Sequence, residues 1–421
     1  MAIASWLRWL LVAVAALLVL AAMMLGRRSQ QLHPMVVVPG YATNELDARL
    51  TELYRPSSPR CKKTGWFRLY LNNTALEDPS DVRCFAEQMS TVYDPLSDDY
   101  YNARGVETSV PFFGSTQGLR YPDPDRKDFS YMDKFVSRLE RIGYHDGKNL
   151  FGAPYDFRYA VAPVGHRSRV GLAFFRRLKR LVEKASRLNG GRPVTIVAHS
   201  FGGPLAYQFL LRRPLSWRKR FVRRFVPVAA PWGGVVTVML ALNSGNNLAL
   251  PFVDPLALKA EYRSLESSVW LLPSPKVFPA AQPLVATKSR NYSAHDMADF
   301  LGAIGLREAI RPYRTRALPL FSELPSPQVP VACVVGVGRD TLERMVYPGD
   351  DFSVAPTMVM GDGDGLVNLA SLVAVDPAWR RSRAGASAHF KMVKVSNVSH
   401  TDLLVEDCAL DILIDAIQRP N

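Results

Sequence analysis

Residues 193–203 read PVTIVAHSFGG, and this stretch decides the fold. Val194 to Ala198 is a short apolar, β-branched run, which predicts a buried strand. Apolar residues then recur at helical spacing from Leu205 to Leu210. A strand, a sharp turn that carries a serine, and a helix together form the context of a nucleophile elbow. We therefore predict that Ser200 is a nucleophile. The alternative is a buried serine in an ordinary strand–helix turn.

The tightness of such a turn restricts the neighbouring residues. Small side chains are needed two positions before and two positions after the serine, and these are Ala198 and Gly202. Ala198 departs from the glycine that is usual there, although it is the smallest residue with a Cβ. The helix that follows presents free amides and the positive end of its dipole, which favour an oxyanion. We predict the backbone amide of Phe201 as one oxyanion donor.

A second oxyanion donor is expected in the loop after an early strand. Met35 to Val38 is the early β-run, and it ends at Pro39-Gly40. The candidate donor is the backbone amide of Tyr41, and the alternative is a plain connection between a strand and a helix. We predict that helix over Glu45 to Leu53.

A serine hydroxyl needs a base, and the base needs a carboxylate that fixes its tautomer. In folds that carry a nucleophile elbow, the acid and then the histidine follow the serine in the chain, each in a loop after a late strand. His400 follows the last predicted strand, and Asp364 lies in GDGDG at 361–365 after the strand before it. Asp362 is the alternative acid, and either aspartate is also typical of a turn. The predicted set is Ser200, Asp364 and His400.

The chain has 421 residues and a formal net charge of +14. Between Arg167 and Arg224 there are sixteen Lys or Arg residues and one acid, Glu183. This excess predicts attraction to an anionic surface, and the alternative is a set of solvated helix faces. No nucleic-acid-binding motif accompanies the charge, so a membrane surface is favoured over nucleic acid.

The N-terminus predicts entry into the secretory pathway. Leu10 to Leu25 is an uninterrupted apolar run with arginines on both sides. We interpret residues 1–28 either as a cleaved signal peptide, which leaves a secreted protein, or as a single retained membrane anchor with the catalytic domain in the lumen or outside the cell. Three Asn-x-Ser/Thr sequons are candidate glycosylation sites, at Asn72, Asn291 and Asn397.

Four cysteines fit the same compartment. Cys61 and Cys84 are close enough in sequence to staple a loop, whereas Cys333 and Cys408 are predicted to be free and buried. Three aromatic residues lie between the first two cysteines, at Trp66, Phe67 and Tyr70. Such a segment suits insertion into a lipid interface, or else it is the core of a small lobe.

Strands alternate with helices along most of the chain, which predicts an α/β fold with a mostly parallel sheet covered on both faces. Residues 237–330 break this alternation and are rich in Pro, Ser and Asn. We interpret them as a cap inserted into the sheet domain.

Five motifs give the chain a resemblance to a known family. They are VVVPG at 36–40, GAPYDFR at 152–158, AHSFG at 198–202, APWGG at 230–234 and GDGDG at 361–365. Together the chain resembles the lecithin-cholesterol acyltransferase and lysosomal phospholipase A2 family, most closely its plant acyltransferase-like members. The similarity extends over residues 33–417.

The resemblance implies an α/β-hydrolase domain over residues 33–421, with a membrane-binding lobe at about 55–101 and a cap at about 237–330. It implies that Ser200, Asp364 and His400 are nucleophile, acid and base. It implies oxyanion donors at Tyr41 and Phe201, a disulfide between Cys61 and Cys84, and lipid insertion by Trp66, Phe67 and Tyr70. The family also has a second disulfide, but in this sequence no cysteine lies near Val375 to pair with Cys333.

The resemblance also implies the activity. The expected reaction moves a fatty acyl group from a phospholipid to a sterol or another lipid alcohol through an acyl-enzyme. The alternative is a phospholipase A that uses water, and a catalytically silent lipid-binding protein is the alternative from another class. No metal or cofactor is expected. The expected partners are a phospholipid membrane or lipid-particle surface and the lipid alcohol acceptor.

Overall fold

The strand that precedes Ser200 is the centre of the molecule, and all six of its residues, Val194–His199, are buried. The structure is a computed structural model that describes residues 32–70, 74–121, 123, 130–246, 253–381 and 390–418. The predicted signal or anchor segment, residues 1–28, lies outside the described residues. Within the described ranges, no helix combines the length and the apolar character needed to span a membrane.

The strands are numbered in chain order. They are β1 Met35–Val38, β2 Leu46–Leu50, β3 Trp66–Tyr70, β4 Thr91–Asp94, β5 Asp99–Asn102, β6 Val106–Ser109, β7 Leu150–Gly152, β8 Val194–His199, β9 Val222–Val228, β10 Val285–Ala286, β11 Asn291–Tyr292, β12 Val331–Val337, β13 Arg339–Val346, β14 Thr357–Gly363 and β15 Phe390–Ser396.

The α-helices are numbered in the same way. They are α1 Pro79–Met89, α2 Gln117–Arg120, α3 Asp133–Arg141, α4 Arg169–Leu188, α5 Gly202–Leu211, α6 Leu215–Phe221, α7 Val236–Ser244, α8 Lys259–Ser264, α9 Glu266–Trp270, α10 Met297–Ala303, α11 Ile310–Pro312, α12 Leu318–Phe321, α13 Leu369–Leu372, α14 Asp376–Arg381 and α15 Asp407–Gln418.

Six strands form the central sheet in the order β15-β12-β9-β8-β1-β7. Each described pairing within it is parallel. The innermost strands are short runs of Val, Ile and Ala that are buried on both faces, as expected of a covered parallel sheet. Helices α4 and α5 pack against β1 and β8, and α15 packs against β9 and β12. The predicted α/β class, with an α/β-hydrolase core, is confirmed.

The helix predicted over Glu45 to Leu53 is wrong, because β2 occupies this segment. Leu46 and Ala48 are buried while Arg49 is exposed, which is the period of a strand. Strand β2 pairs antiparallel with β3 and with β6 in a three-stranded sheet. The two partner strands supply backbone hydrogen bonds that a local reading of the segment does not include.

The lobe is joined to the central sheet by a buried arginine. A disulfide links Cys61 to Cys84 in α1, and Gln88 Nε2 donates to the Cys61 carbonyl at 2.8 Å. Arg158 is fully buried, and its guanidinium donates to the Met89 carbonyl at the end of α1 at 3.1 Å. The same guanidinium donates to Asn102 Oδ1 of β5 at 2.7 Å. Strand β3 of the predicted lobe pairs with β2, and β2 pairs with β6, so this small sheet extends beyond 55 and 101. The limits of the lobe stay a prediction.

The predicted cap at 237–330 shares a sheet with later residues. Strands β10 and β11 lie within it, and they form a four-stranded sheet with β13 and β14 in the order β11-β10-β13-β14. The cap boundary stays a prediction, but the small sheet extends past it as far as Gly363.

Candidate functional site

Ser200 lies at a strained turn between β8 and α5. Its backbone φ is +53°, a conformation that L-residues rarely adopt, and its amide donates to the Val228 carbonyl at 2.8 Å. A Cβ placed on Gly202 would lie 2.3 Å from the Pro39 carbonyl oxygen, so only glycine fits there. A strained serine between close-packed backbone segments is the geometry of a nucleophile elbow.

His400 lies between Ser200 and Asp364. Its Nε2 is 2.9 Å from Ser200 Oγ, and its Nδ1 is 2.8 Å from Asp364 Oδ2. The His400 amide also donates to the Asp364 carbonyl at 2.8 Å, which fixes the two loops to each other. In the tautomer that this geometry favours, Nδ1 carries the proton and Nε2 is free to accept the serine proton.

Asp364 is fully buried and accepts more than the histidine. Its Oδ1 accepts from the amides of Val367 at 2.8 Å and Leu366 at 3.1 Å. Burial by itself raises the pKa of Asp364, but attraction to His400, together with these hydrogen bonds and the one from His400, outweighs burial and holds the pKa below its ordinary value. The carboxylate therefore stays ionised while it orients the imidazole.

The alternative acid, Asp362, lies elsewhere. Its side chain accepts from the Gly338 amide at 2.7 Å and is exposed. The GDGDG segment, whose composition is typical of a turn, continues β14 as far as Gly363, and β14 belongs to the four-stranded sheet rather than the central one. A Cβ on Gly363 would lie 2.3 Å from the Val367 carbonyl oxygen, so glycine here permits close packing of the loop that holds Asp364.

The two predicted oxyanion donors are available. In the described part of the chain, neither the amide of Tyr41 nor that of Phe201 donates a hydrogen bond to a protein acceptor. The loop before Tyr41 packs against the nucleophile, because a Cβ on Gly40 would lie 3.1 Å from Ser200 Cβ. The Tyr41 ring makes edge contacts with Phe201 and Phe157, with ring centroids 6.4 and 5.4 Å apart.

A second histidine, His199, connects these loops, and sequence reasoning missed it. Its Nδ1 is 2.7 Å from the Tyr131 hydroxyl, and its Nε2 is 3.0 Å from the His400 carbonyl. The Gly40 amide donates to the same Tyr131 hydroxyl at 2.9 Å. Burial, and then repulsion from His400, lowers the pKa of His199 to about 3, so the ring is neutral. Its position next to the serine was the available signal, but Tyr131 is 68 residues away.

A neutral carboxyl lies behind the predicted oxyanion loop. Burial raises the pKa of Glu261, in α8, to about 8, and the charge of Arg158 offsets only part of this rise. Burial first, and then repulsion from acidic neighbours that include Glu261 in its ionised form, raises the pKa of Tyr41 and of Tyr70. Within the described residues, no group of three or more His, Cys, Asp or Glu is arranged to hold a metal ion.

The three predicted lipid-inserting residues have different environments. Trp66 is 50% exposed, with the Arg49 guanidinium 5.2 Å from its ring centroid, and Phe67 is half-buried. Tyr70 is only 4% exposed, and its hydroxyl donates to the Ala42 carbonyl at 2.9 Å. The prediction of lipid contact is therefore wrong for Tyr70, which supports the loop that carries Tyr41.

Other sequence predictions have mixed outcomes. Cys333 is free and buried, whereas Cys408 is free but exposed, so its predicted burial is wrong. Asn291 and Asn397 are exposed, and Asn72 lies outside the described residues. In the basic segment, Arg218 and Arg224 are buried. Each donates to a backbone carbonyl, of Pro327 and Ala416 respectively, so part of this charge is structural.

The chain is similar to known proteins over most of its length. The model of the lecithin:cholesterol acyltransferase family matches residues 62–316. The protein named Lecithin-cholesterol acyltransferase-like 1 of Oryza sativa subsp. japonica is 47% identical over 399 residues, which are 94% of this chain and 88% of that protein. Its namesake in Arabidopsis thaliana is 43% identical over 422 residues, with 97% and 95% covered. The Lysosomal phospholipase A and acyltransferase of Homo sapiens is 34% identical over 352 residues, with 82% of each chain covered.

Proposed function

The chain belongs to the lecithin:cholesterol acyltransferase family, and we propose from this membership that it moves a fatty acyl group from a phospholipid to a lipid alcohol. The observation that carries the proposal is the hydrogen-bonded series Ser200–His400–Asp364 at a strained elbow. Nucleophilic catalysis requires this arrangement of hydroxyl, base and orienting carboxylate.

In the proposed first half-reaction, Ser200 Oγ attacks the acyl carbonyl while its proton passes to His400 Nε2. The imidazolium is stabilised by Asp364. The negative charge on the tetrahedral intermediate accepts hydrogen bonds from the amides of Tyr41 and Phe201, and one such donor is worth about 3 to 4 kcal/mol in transition-state stabilisation. The intermediate collapses when the ester C–O bond breaks, and the lysophospholipid leaves with the proton from His400.

In the second half-reaction, the hydroxyl of the acceptor gives its proton to His400 and attacks the acyl-enzyme. The new ester leaves, and Ser200 regains its proton from His400. Water as the acceptor gives a free fatty acid instead, which is phospholipase A activity. The naming of mammalian relatives as both phospholipase A and acyltransferase supports keeping this as the second candidate.

The test is an acyl-transfer assay with acyl-labelled phosphatidylcholine, with and without a sterol. Labelled steryl ester indicates transfer, and labelled free fatty acid indicates hydrolysis. Ser200→Ala should lose both products and still bind vesicles, because the hydroxyl contributes chemistry rather than packing. If the parent forms neither product but binds vesicles, the protein is a catalytically silent lipid binder and the proposal fails.

We also propose that the enzyme works at a lipid surface in the secretory pathway. The Cys61–Cys84 disulfide supports an oxidising compartment, and several mammalian relatives are named lysosomal. The exposed Trp66, with Phe67 beside it, supports contact with a lipid interface. N-terminal sequencing of the purified protein distinguishes a cleaved segment 1–28 from a retained one. A mobility shift with glycosidase, lost in Asn291→Gln or Asn397→Gln, tests glycosylation.

A further inference from the structure

Two aliphatic side chains on neighbouring loops are far more exposed than any other large hydrophobic residue in the described ranges. Leu96 is 96% exposed and Val164 is 86% exposed, whereas the next value is 61%. Leu96 lies in the turn between β4 and β5, and Val164 lies in the loop before α4. Single exposed aliphatic residues are ordinary, but the two extreme cases on adjacent loops require an explanation.

A hydrogen-bonded framework holds the two loops together. Nδ1 of His166 is 2.6 Å from Asp98 Oδ2. One nitrogen of the buried Arg316 guanidinium donates to the carbonyls of both Asp98 and Arg167, the latter at 2.7 Å. A buried carboxylate, Glu266, fixes that guanidinium at 2.6 Å. The exposure of both aliphatic tips is therefore a property of a fixed structure.

The turn around Leu96 is equally well ordered by its own contacts. The Leu96 amide donates to Asp94 Oδ1 at 3.0 Å, and the Ser97 amide donates to Asp94 Oδ2 at 3.2 Å. The Tyr101 hydroxyl donates to Ser97 Oγ at 3.0 Å. These contacts satisfy the acid of the turn and leave the leucine side chain directed into solvent.

Three exposed arginines lie on the two loops or beside them, and the Arg169 guanidinium is 4.8 Å from the Tyr101 ring centroid. Arg167 and Arg169 are exposed at the start of α4, and the exposed Arg311 acts electrostatically on Tyr93, whose hydroxyl donates to Asp98. In the described part of the chain, none of the three guanidiniums has a carboxylate within ion-pair distance. We call Leu96, Val164, Arg167, Arg169 and Arg311 the tip patch.

The tip patch lies at the edge of the sheet that holds the nucleophile. Parallel strands end at the same edge, so the loop after β7 and the elbow after β8 lie on one side. Trp270 connects them, since its Nε1 donates to the Val161 carbonyl at 3.0 Å and its ring packs on Phe201 at 5.3 Å. A surface that docks on the tip patch would therefore face the end of the molecule that carries Ser200.

We propose that the tip patch is a contact with the phospholipid bilayer, additional to that of Trp66, in which the aliphatic tips enter the interface and the guanidiniums bind lipid phosphates. Rigid aliphatic tips flanked by unpaired cations match the layered chemistry of a bilayer surface with anionic lipids. The inference rests on the proposed function, because a phospholipid substrate requires a bilayer partner. It assigns an orientation in which the edge with Ser200 faces the lipid.

The test measures binding of the full chain to phosphatidylcholine vesicles with and without phosphatidylglycerol. The double variant Leu96→Ser with Val164→Ser should bind about tenfold more weakly to both, because apolar burial is lost. The matched control is Leu188→Ser, because Leu188 is also exposed, at 56%, but lies at the opposite end of α4. This variant should bind vesicles as the parent does. Activity of the double variant on a soluble short-chain ester should be unchanged.

The charge is tested separately. Arg167→Gln with Arg311→Gln should weaken binding only to vesicles with phosphatidylglycerol, and only at low salt, because exposed charges are screened. If Leu96→Ser with Val164→Ser binds vesicles as the parent does, the proposal is overturned and a protein partner is indicated. The proposal is also overturned if Leu188→Ser weakens vesicle binding by the same factor as the double variant. Loss of soluble-ester activity in the serine double variant also overturns it. If the parent binds vesicles through the tip patch but releases no acyl product, the proposed function fails and this contact stands.

Discussion

Replacement of Asp364, the carboxylate that orients the His400 imidazole, should have a large effect on kcat. Asp364→Asn keeps the shape of the side chain but cannot fix the same tautomer of His400, so kcat should fall by about 10⁴-fold. Asp362→Asn is the matched control, because Asp362 contacts the Gly338 amide instead. Steady-state kinetics on a soluble ester measure both variants. A larger loss in Asp362→Asn would mean that Asp362 is the acid.

Tyr131 is the residue that joins the predicted oxyanion loop to His199. Tyr131→Phe leaves the Gly40 amide and His199 Nδ1 without partners, so the loop beside Ser200 is less well fixed. We expect kcat on a soluble ester to fall about tenfold, as for one lost interaction of ~1.4 kcal/mol, with KM unchanged. Tyr144→Phe is the control, because Tyr144 is equally buried at the other end of α3. Equal effects of the two variants would reduce Tyr131 to a packing role.

At the scale of elements, β3 carries the predicted lipid contact on the edge of its sheet. Trp66→Ser should weaken vesicle binding about tenfold at all salt concentrations, because the lost contribution is apolar burial. Tyr70→Phe, four residues along the same strand, should bind vesicles as the parent does, since its side chain is buried. Vesicle co-sedimentation compares the two. Parent-like binding by Trp66→Ser would show that this edge faces water.

Local pattern predicted some elements correctly, and distant partners account for those it did not. The strand and helix around Ser200 were predictable because a continuous β-branched apolar run is followed by a Ser-Phe-Gly turn and then by apolar residues at helical spacing. Strand β2 was not, since Ala48 pairs with Phe67 and Thr108, which are remote in sequence. The expectation that the acid and the histidine each follow a late strand identified Asp364 and His400, whose side chains are in contact. The strand before Asp364 nevertheless belongs to the four-stranded sheet and not to the central one.

At the scale of the whole molecule, stability should depend on the buried acid Glu261. Its pKa of about 8 in the folded state exceeds the ordinary 4.5, so the folded state holds a proton that the unfolded state has lost, and stability falls as pH rises through this range. His199, with a pKa lowered to about 3 from its ordinary 6.5, contributes in the opposite direction, but only about 0.4 kcal/mol of its contribution remains above pH 6.5. Between pH ~6.5 and ~8 we therefore expect Glu261 to reduce the free energy of unfolding by about 2 kcal/mol.

Glu261→Gln should remove this part of the pH dependence, because the amide stays neutral. Chemical denaturation at the two pH values measures the free energy of unfolding, and Glu308→Gln serves as an exposed control. An unchanged slope in Glu261→Gln would mean that another group titrates.

The buried Arg158 affects how the molecule unfolds. Its guanidinium pairs with Asp156 and also donates to the end of α1 and to β5. If the lobe melted alone, the guanidinium would keep Asp156 but lose the Met89 carbonyl and Asn102 Oδ1, and each lost hydrogen bond to a charged group costs about 1.5 to 3 kcal/mol. The lobe and the central sheet should therefore unfold in a single cooperative transition. A destabilising substitution in either part would then lower the stability of both.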